Sequence, residues 1–559
     1  MRPFDTKGNG KMNEPYNYDP MTGEPLREGV PASFTQMPFA DRSSQTDQPQ
    51  TEQNVQTPKT PRVRAAFGKR SFTAKEKCLA WCSILMGYLF CRTFWVWQKP
   101  AYGLIFTVLL FVFAFVFFGR QKRKARSLFY PVSAIILSSA LFFSGSPVLL
   151  FFVFVYSCFA FLMFCQTGSE TALEGHAGQL YVFETVKALF VSPFKSIGAV
   201  VGAIGSGRGG KKAGKTILVI LAGIGIAVLP TFAVLKLLSF DANFTGMLDA
   251  VRTGFFDGLF SRFWSLVFGV PVGMYVFGAL STSAHPVPDA YNEENCIRIE
   301  NKMKFAPPLV GAVAILPLLF LYGVFIIAQN GYYKAIFTST LPDAYTFAEF
   351  ARDGFFRLCV VAAINALALT ALRVFSRKTD KGRISPVVKI YTVVLSLVTI
   401  VISGTAISQM IMYVSAYGLT RLRIYTLWFM ALLILLFFIA VLKQFAEKLP
   451  FAAIAVTVFV LCFGALAIPD TDAFIARHNY NCYIAGTASE IDVEYLGRLA
   501  PSSVPVLCEI AGDENVPGEI REKASGEVDR YFAEKKETYD LPSFDLPSIL
   551  AERARRADE

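Results

Sequence analysis

The stretch AYGLIFTVLLFVFAFVFF, residues 101–118, is eighteen residues long and contains no charged side chain. A helix needs about 20 mostly apolar residues to cross the hydrocarbon core of a bilayer. Apolar runs of similar length recur along the chain between Cys78 and Ala467. They are continuous, whereas the strands of a membrane barrel alternate apolar and polar residues. The sequence therefore predicts an all-α fold, a polytopic bundle of transmembrane helices.

The composition of the chain agrees with a membrane protein. Of the 559 residues, 53% are hydrophobic and only 17% are charged, and the mean hydropathy is +0.43. Such a chain has too few polar side chains to cover the surface of soluble domains. The net charge of +11 lies mostly in loops beside the predicted spans, which indicates membrane lipids as partners and gives no reason to expect nucleic-acid binding.

Eleven membrane spans are predicted from the apolar runs. They cover residues 78–97, 101–118, 128–144, 147–165, 216–238, 263–281, 306–328, 354–374, 386–413, 424–442 and 450–467. Two further segments, 241–262 and 332–353, are amphipathic and rich in aromatic residues, so we expect them to lie in the membrane interface.

The chain divides into three predicted parts. Residues 1–77 are rich in Pro, Gln, Thr and Ser, and no apolar signal sequence precedes Cys78, so we expect a disordered cytosolic tail. Residues 78–467 form the transmembrane helix bundle. Residues 468–559 carry mixed charge with apolar residues at helical spacing, which predicts a small soluble helical C-terminal segment.

Lysine and arginine residues near the span ends predict the orientation of the chain. They cluster in the tail before the first span and in the loops 120–126, 208–215 and 377–383, which share one side if each span crosses once. Because such loops face the cytosol, the N-terminus is placed there, and an odd number of spans places the C-terminal segment outside. Its two cysteines, Cys482 and Cys508, then form a disulfide or remain free thiols.

The stretch GGKKAGKT, from Gly209 to Thr216, matches the phosphate-binding loop of nucleotide-binding proteins. That loop acts between a buried strand and a helix of a parallel sheet. Here it leads into a predicted membrane span, and no strand pattern surrounds it. We interpret it as a basic loop at the membrane surface and predict no nucleotide-binding site.

The segment AEFARDGFFRL, residues 348–358, carries charges into an apolar span. Helical spacing places four of them close together, namely Glu349, Arg352, Asp353 and Arg357. Charges inside a membrane are costly and mark functional sites, so these four are candidates for a substrate or ion pathway. A purely structural use is also compatible with them, in which charges at a helix start pair with each other and reach the interface.

A second group of candidates lies in the neighbouring spans. Arg421 and Arg423 fall on the same predicted side as the first group, and they are suited to face its acidic members or to bind an anionic lipid or substrate. Asn365 and Gln409 lie within spans, where such residues line a pathway or join helices by hydrogen bonds. The eighth to tenth predicted spans thus hold the candidate site.

No catalytic residue, metal site or cofactor is predicted. The three histidines are far apart in the sequence, and CLAWC at 78–82 lacks the second cysteine pair of a zinc site. No motif of a serine hydrolase, zinc protease or kinase occurs. Core packing is therefore the simpler interpretation of the cysteines.

Three segments carry a family resemblance. They are YTFAEFARDGFFRL at 345–358, YGLTRLRIYTLWFM at 417–430 and HNYNCYIAGTASEIDVEYLGRLAPSSVPVL at 478–507. In this order they resemble a bacterial multi-pass membrane family of the DUF4173/DUF4153 type, a domain of unknown function, over the chain from about the first span to residue 510. The resemblance implies a bacterial inner-membrane protein with a soluble C-terminal segment, and it implies no substrate, reaction or catalytic residue.

Three functions remain open from the sequence. The first is transport, or handling of lipids or envelope components, at the charged site between the eighth and tenth spans. The second is a non-catalytic envelope sensor, scaffold or assembly factor that binds an envelope protein or lipid-linked partner through the C-terminal segment. The third, an enzyme for a lipid-linked substrate, lacks a nucleophile and a metal. We rank transport first because the bundle is larger than anchoring requires.

Overall fold

The computed structural model describes eleven ranges of the chain and a few isolated positions between 223 and 241. These ranges are 71–95, 101–121, 123–170, 172–173, 180–205, 256–285, 291–328, 347–379, 382–488, 490–538 and 545–558. Every regular element in the described part of the chain is a helix, so the predicted all-α class is confirmed.

The helices are numbered here in chain order. They are α1 Ala74–Trp95, α2 Ala101–Phe118, α3 Phe129–Ser138, α4 Ala140–Phe143, α5 Pro147–Thr167, α6 Tyr181–Val186, α7 Ser192–Lys195, α8 Ala199–Gly205, α9 Phe256–Ala284, α10 Glu293–Met303, α11 Pro308–Ala328, α12 Phe347–Phe375, α13 Pro386–Tyr417, α14 Arg421–Phe445, α15 Phe451–Ala467, α16 Thr471–Ile484, α17 Val493–Gly497, α18 Val504–Gly512, α19 Gly518–Thr538 and α20 Leu546–Asp558. A 3₁₀ turn at Ala125–Leu128 precedes α3, and a π-helical turn at Lys187–Val191 joins α6 to α7.

Nine stretches of the described residues are long and apolar enough to cross a membrane. They are residues 101–118, 125–143, 147–167, 181–205, 262–284, 308–328, 354–375, 386–415 and 421–445. A tenth results if α15 and α16, which meet at a 55° bend, count as one span. The predicted multi-pass membrane character is thereby confirmed.

Most of the predicted spans have a matching helix. The prediction 101–118 coincides with α2, and 147–165 ends two residues before α5 does. The predicted span 216–238 lies outside the described residues, apart from isolated positions. Of the two interfacial segments, 241–262 is described at residue 241 and at its last residues, and 332–353 at its last residues. These last residues are helical and belong to α9 and α12.

One stretch of membrane length, residues 181–205, is not among the spans predicted from the sequence. It consists of α6, the π turn, α7 and α8, and it meets the criteria for a span. Glu184 and Lys187 interrupt its apolar character, and Pro193 and Gly198 divide it into short helices. These interruptions are the reason why no continuous apolar run is visible in the sequence.

Glycines allow α1 and α9 to pack closely. A Cβ atom on Gly87 would lie 2.0 Å from the carbonyl oxygen of Gly269, and one on Gly273 would lie 2.5 Å from the carbonyl oxygen of Ser83. Gly269 and Gly273 are four residues apart, which is the spacing of small residues at close helix contacts in membranes.

The described helices surround three large hydrophobic cores. The first helix group, built mainly from α1, α2, α3, α5 and α9, surrounds one core. The second helix group, α11 to α14, surrounds another. The third core lies in the C-terminal segment, between α16, α17, α18, α19 and α20. The domain limits at 77/78 and 467/468 remain predictions.

Described basic residues of the first helix group lie at one end of it. The Lys75 ammonium group donates to the carbonyl oxygen of Phe117 (3.4 Å), and the Gln121 amide donates to that of Ala284 (3.5 Å). The start of α1 and the ends of α2 and α9 therefore meet at this end, which we call the basic end. At the opposite end, the hydroxyls of Ser146 and Tyr425 are 2.6 Å apart.

The second helix group is oriented like the first, with basic residues at the basic end. Tyr425 lies near the start of α14, so the other end of α14 is at the basic end, where Lys389 pairs with Glu447 (2.6 Å). The described residues of the loop 377–383 also lie there, because they directly precede α13. The C-terminal segment follows α15 at the opposite end. The face of the membrane to which each end belongs, and so the cytosolic N-terminus, remains a prediction.

Candidate functional site: a polar row in the second helix group

Helix α13 is the central helix of the second group. It packs against α11, α12 and α14, and Leu395, Ile402 and Ala406 on it are fully buried. The predicted candidates Asn365 and Gln409 lie in this group, on α12 and α13 respectively. The second helix group thus contains two of the polar residues predicted from the sequence.

Four polar side chains follow one face of α13. They are Thr392, Ser396, Thr399 and Ser403, and all of them are fully buried. Their spacing of four, three and four residues keeps them on the same side of a helix with 3.6 residues per turn. We call these four residues the α13 row. Gln409, only 1% exposed, lies six residues beyond Ser403, about 120° around the helix from it, and faces α12.

The α13 row and Gln409 together extend over most of the membrane thickness. Thr392 and Gln409 are seventeen residues apart, which corresponds to about 26 Å along the axis of a helix that rises about 1.5 Å per residue. The hydrocarbon core of a bilayer is about 30 Å thick.

A hydrogen-bonded chain crosses the middle of the row and joins three helices. The hydroxyl of Tyr322 on α11 donates to Oδ1 of Asn365 (2.6 Å), and Nδ2 of Asn365 donates to the hydroxyl of Thr399 (2.9 Å). Thr399 donates in turn to the carbonyl oxygen of Leu395 (2.6 Å). Asn365 is thereby placed as a link between helices, one of the two uses expected for it.

The rest of the row lacks hydrogen-bond partners within the described part of the chain. The hydroxyls of Thr392, Ser396 and Ser403 are buried and without a partner, and so are Oε1 of Gln409 and Oε1 of Gln444 on α14. Serine and threonine in membrane helices commonly bond to the carbonyl oxygen four residues earlier. A buried polar group without a partner costs about 1–3 kcal/mol, so a row of such groups indicates that water or a solute supplies the missing bonds.

One end of the row reaches the predicted charged segment of α12. A Cβ atom on Gly354 would lie 3.1 Å from Oε1 of Gln409, so the glycine lets this amide approach the α12 backbone. The side chains of the neighbouring candidates Glu349, Arg352 and Asp353 lie outside the described residues, although their backbone is helical. Arg357, one turn further along α12, is exposed.

Arg421 is placed against the C-terminal segment and not against α12. Its guanidinium donates through Nε to Oδ1 of Asp472 (2.8 Å) and through Nη2 to Oδ2 (2.6 Å), in the bidentate geometry of a strong ion pair. The Asp472 side chain is fully buried. The backbone amide of Arg421 also donates to the Tyr495 hydroxyl (2.8 Å).

Arg423 contacts the end of α13 and the turn that follows it. Its guanidinium donates to the carbonyl oxygens of Tyr417 (2.8 Å) and Gly418, and it lies 4.2 Å from the ring centre of Tyr413. The contacts of Arg423 hold the turn between α13 and α14, and those of Arg421 dock the C-terminal segment. Their role in a substrate pathway remains a prediction.

An asparagine completes the docking contact. Oδ1 of Asn479 accepts from the backbone amide of Leu419 (2.7 Å), and its Nδ2 donates to the carbonyl oxygen of the same residue (2.9 Å). Gly418 precedes Leu419 with φ +70°, and a Cβ atom there would lie 2.8 Å from Oδ1 of Asn479. Glycine is suited to this turn because it adopts positive φ without strain and leaves room for the asparagine.

Other sequence candidates have no counterpart in a described site. The nucleotide-binding motif at 209–216 lies outside the described residues. In the described part of the chain, no three His, Cys, Asp or Glu side chains are grouped to hold a metal ion. Cys482 and Cys508 are both free thiols, the second of the two alternatives.

Sequence reasoning missed several residues of these sites. Thr392, Ser396 and Thr399 were not singled out, although their helical spacing is a visible signal. Asp472 and Asn479 were also missed, because nothing in the sequence indicates a contact with residues more than 50 positions away.

The family comparison agrees with the observed architecture. The family model described as Domain of unknown function (DUF4153) matches residues 132–510. The chain belongs to this family. The DUF4153 match begins in α3 and ends in α18, so it includes the second helix group, the α13 row and the docked part of the C-terminal segment. The predicted family resemblance is confirmed. No curated protein and no solved structure matches the chain.

Proposed function

We propose that this DUF4153 protein transports a small polar solute or ion across a bacterial cell membrane along the α13 row. The observation that carries the proposal is the series of buried polar groups without partners on α13, at intervals of one to two turns among the described residues. Since lipid supplies no hydrogen bonds, such a series is stable in a membrane when water or a solute occupies it.

The surroundings of the row support a passage with two polar ends. Gln409 reaches the α12 segment that carries Glu349, Arg352 and Asp353, where a solute would enter. At the basic end, Lys389 lies three residues before Thr392 on α13 and forms an ion pair with Glu447. The row itself contains hydroxyl and amide groups, so it favours a species that exchanges hydrogen bonds over one that needs an opposite charge.

A flux measurement in proteoliposomes tests this proposal. The probes are urea and glycerol, followed by light scattering, and protons, followed by a pH-sensitive dye inside the vesicles. We expect vesicles with the protein to equilibrate at least one probe faster than empty vesicles. Ser403→Leu should abolish the difference, because it fills the row with an apolar side chain.

The matched control for Ser403→Leu is Ser415→Leu, the same substitution at an exposed position of α13. It should leave the flux unchanged. Equal flux in empty and protein-containing vesicles for all three probes, or equal flux in the Ser403 variant and the wild type, would contradict transport along the row.

A scaffold acting through the C-terminal segment is the second candidate function. It is favoured by the separate hydrophobic core of that segment and by its docking through the ion pair of Arg421 and Asp472. In this case, deletion of residues 468–559 should remove the cellular function while flux through the row persists. A truncated protein with full cellular function would exclude the scaffold.

A further inference from the structure

The first helix group contains a buried carboxylate that the proposed transport path does not use. Glu184 lies on α6, and this helix leads directly into the π-helical turn Lys187–Val191. Such turns insert one extra residue into a helix and are frequent at functional sites. The stretch 181–205, to which Glu184 belongs, is long and apolar enough to cross a membrane.

Few contacts offset the free-energy cost of burying the Glu184 carboxylate. The residue is 5% exposed, and its Oε1 accepts no hydrogen bond from any described residue. Among the described residues, Arg126 forms an ion pair with Glu184, but its Nη2 lies 3.7 Å from Oε1, beyond hydrogen-bonding distance. The Arg126 side chain is 42% exposed, so water screens much of its charge. The backbone amide of Leu173 donates to the carboxylate.

Several other titratable groups surround this carboxylate. They come from the segment before α3, from α3, and from the helix of Glu184 itself with the π turn that follows it, and they are Lys124, Arg126, Tyr130, Tyr181 and Lys187. Tyr156 on α5 interacts with Tyr181, one step further from the carboxylate. The Lys187 ammonium group, which is buried, donates to the carbonyl oxygen of Tyr291 (3.0 Å). The tyrosines offer hydroxyl groups beside the carboxylate and bring no charge while they are neutral.

We propose that Glu184 is a proton-binding site within the first helix group. The carboxylate takes up one proton from water at the basic end and becomes a neutral carboxyl group, and it returns the same proton to water on the reverse step. Neutralisation removes the cost of a buried charge whose oxygens lack their full set of hydrogen bonds. Arg126 opposes the uptake, because its charge stabilises the ionised form, and it also lies at the solvent-exposed side of the site.

Infrared difference spectroscopy of the purified full-length protein in lipid tests the proposal directly. The difference between spectra recorded in acidic and in alkaline buffer shows the carbonyl stretching band of a carboxyl group that becomes protonated. We expect the wild type to give a band from a water-poor carboxyl, and Glu184→Gln to lose it. Glu494→Gln, which changes a carboxylate that is 72% exposed, is the control and should keep the band.

A second variant keeps the proposal falsifiable if Glu184→Gln does not fold. Arg126→Gln removes the nearby positive charge, so the band should appear at higher pH than in the wild type. An unchanged titration of the band in Arg126→Gln would overturn the assignment, and so would a band of wild-type intensity in folded Glu184→Gln. Neither readout depends on transport along the α13 row, so either proposal can be contradicted while the other stands.

Discussion

Replacing Asp472 by asparagine removes the negative charge that holds Arg421. The carboxylate is fully buried and forms both hydrogen bonds of a bidentate pair. Removing one partner of a buried ion pair costs about 3–5 kcal/mol. The Arg421 side chain is 24% exposed, so water solvates part of the released charge and we expect the lower limit, about 3 kcal/mol. At about 1.4 kcal/mol per tenfold change, the undocked population should rise more than a hundredfold.

Hydrogen exchange read by mass spectrometry measures this change where it occurs. Amides of α16 and α18 lie in the C-terminal segment, and their exchange should accelerate about a hundredfold in Asp472→Asn if exchange follows undocking. Amides in the middle of α13 should exchange as in the wild type, because the second helix group does not depend on the ion pair. Faster exchange in both places would indicate global unfolding.

The control is the surface ion pair between Glu494 and Arg498, whose side chains are 72% and 61% exposed. Exposed pairs four residues apart on a helix contribute about 0.3–0.5 kcal/mol, so Glu494→Gln should change exchange by about twofold. If Asp472→Asn has an effect no larger than that of Glu494→Gln, the ion pair does not hold the C-terminal segment, and the reasoning is refuted.

Three further changes have expected outcomes. Asn365→Leu should lower stability by about 1–3 kcal/mol, because the buried Tyr322 hydroxyl loses its acceptor and the Thr399 hydroxyl loses a donor; thermal unfolding measures this. Gly87→Val should prevent α1 from packing on α9, since its Cβ atom would overlap the Gly269 carbonyl; the yield of monodisperse protein reports it. The hydrogen bond from Tyr480 (2.7 Å) holds the pKa of Asp513 below its usual range. Asp513 therefore contributes stability above its unfolded pKa of about 3.9, and this contribution disappears as the pH falls through the folded pKa. Tyr480→Phe should reduce this contribution, because the remaining hydrogen bonds of Asp513 come from Asn515, and denaturant unfolding at neutral and acidic pH would show the reduction.

The sequence was sufficient to predict the helices that are uniformly apolar. The limits of α2 follow from an uncharged run of side chains, because each residue of a lipid-exposed helix must be compatible with hydrocarbon. The stretch 181–205 was not recognised, because Glu184 and Lys187 lower its apolar character. Both are buried between helices, and only tertiary packing makes that possible.

The candidate site could be predicted in part. Asn365 and Gln409 were expected to be polar residues within spans, and both are buried on facing helices of the second group. Their surroundings follow from how α11, α12 and α13 pack, which a single sequence does not encode in any local pattern. Arg421 shows the same limit, since its partner Asp472 is 51 residues away in the chain.

Transport along the α13 row requires that the row be accessible to water. Ser396→Cys and Ser403→Cys, made in a protein whose ten native cysteines are replaced, can be treated in proteoliposomes with a small water-soluble methanethiosulfonate. Ile402→Cys, equally buried beside the row, and Leu397→Cys, on the exposed side of α13, are the controls. We predict that both serine-derived thiols react and both control thiols do not. If the thiols at 396 and 403 are as unreactive as the one at 402, the row is dry and transport along it is contradicted.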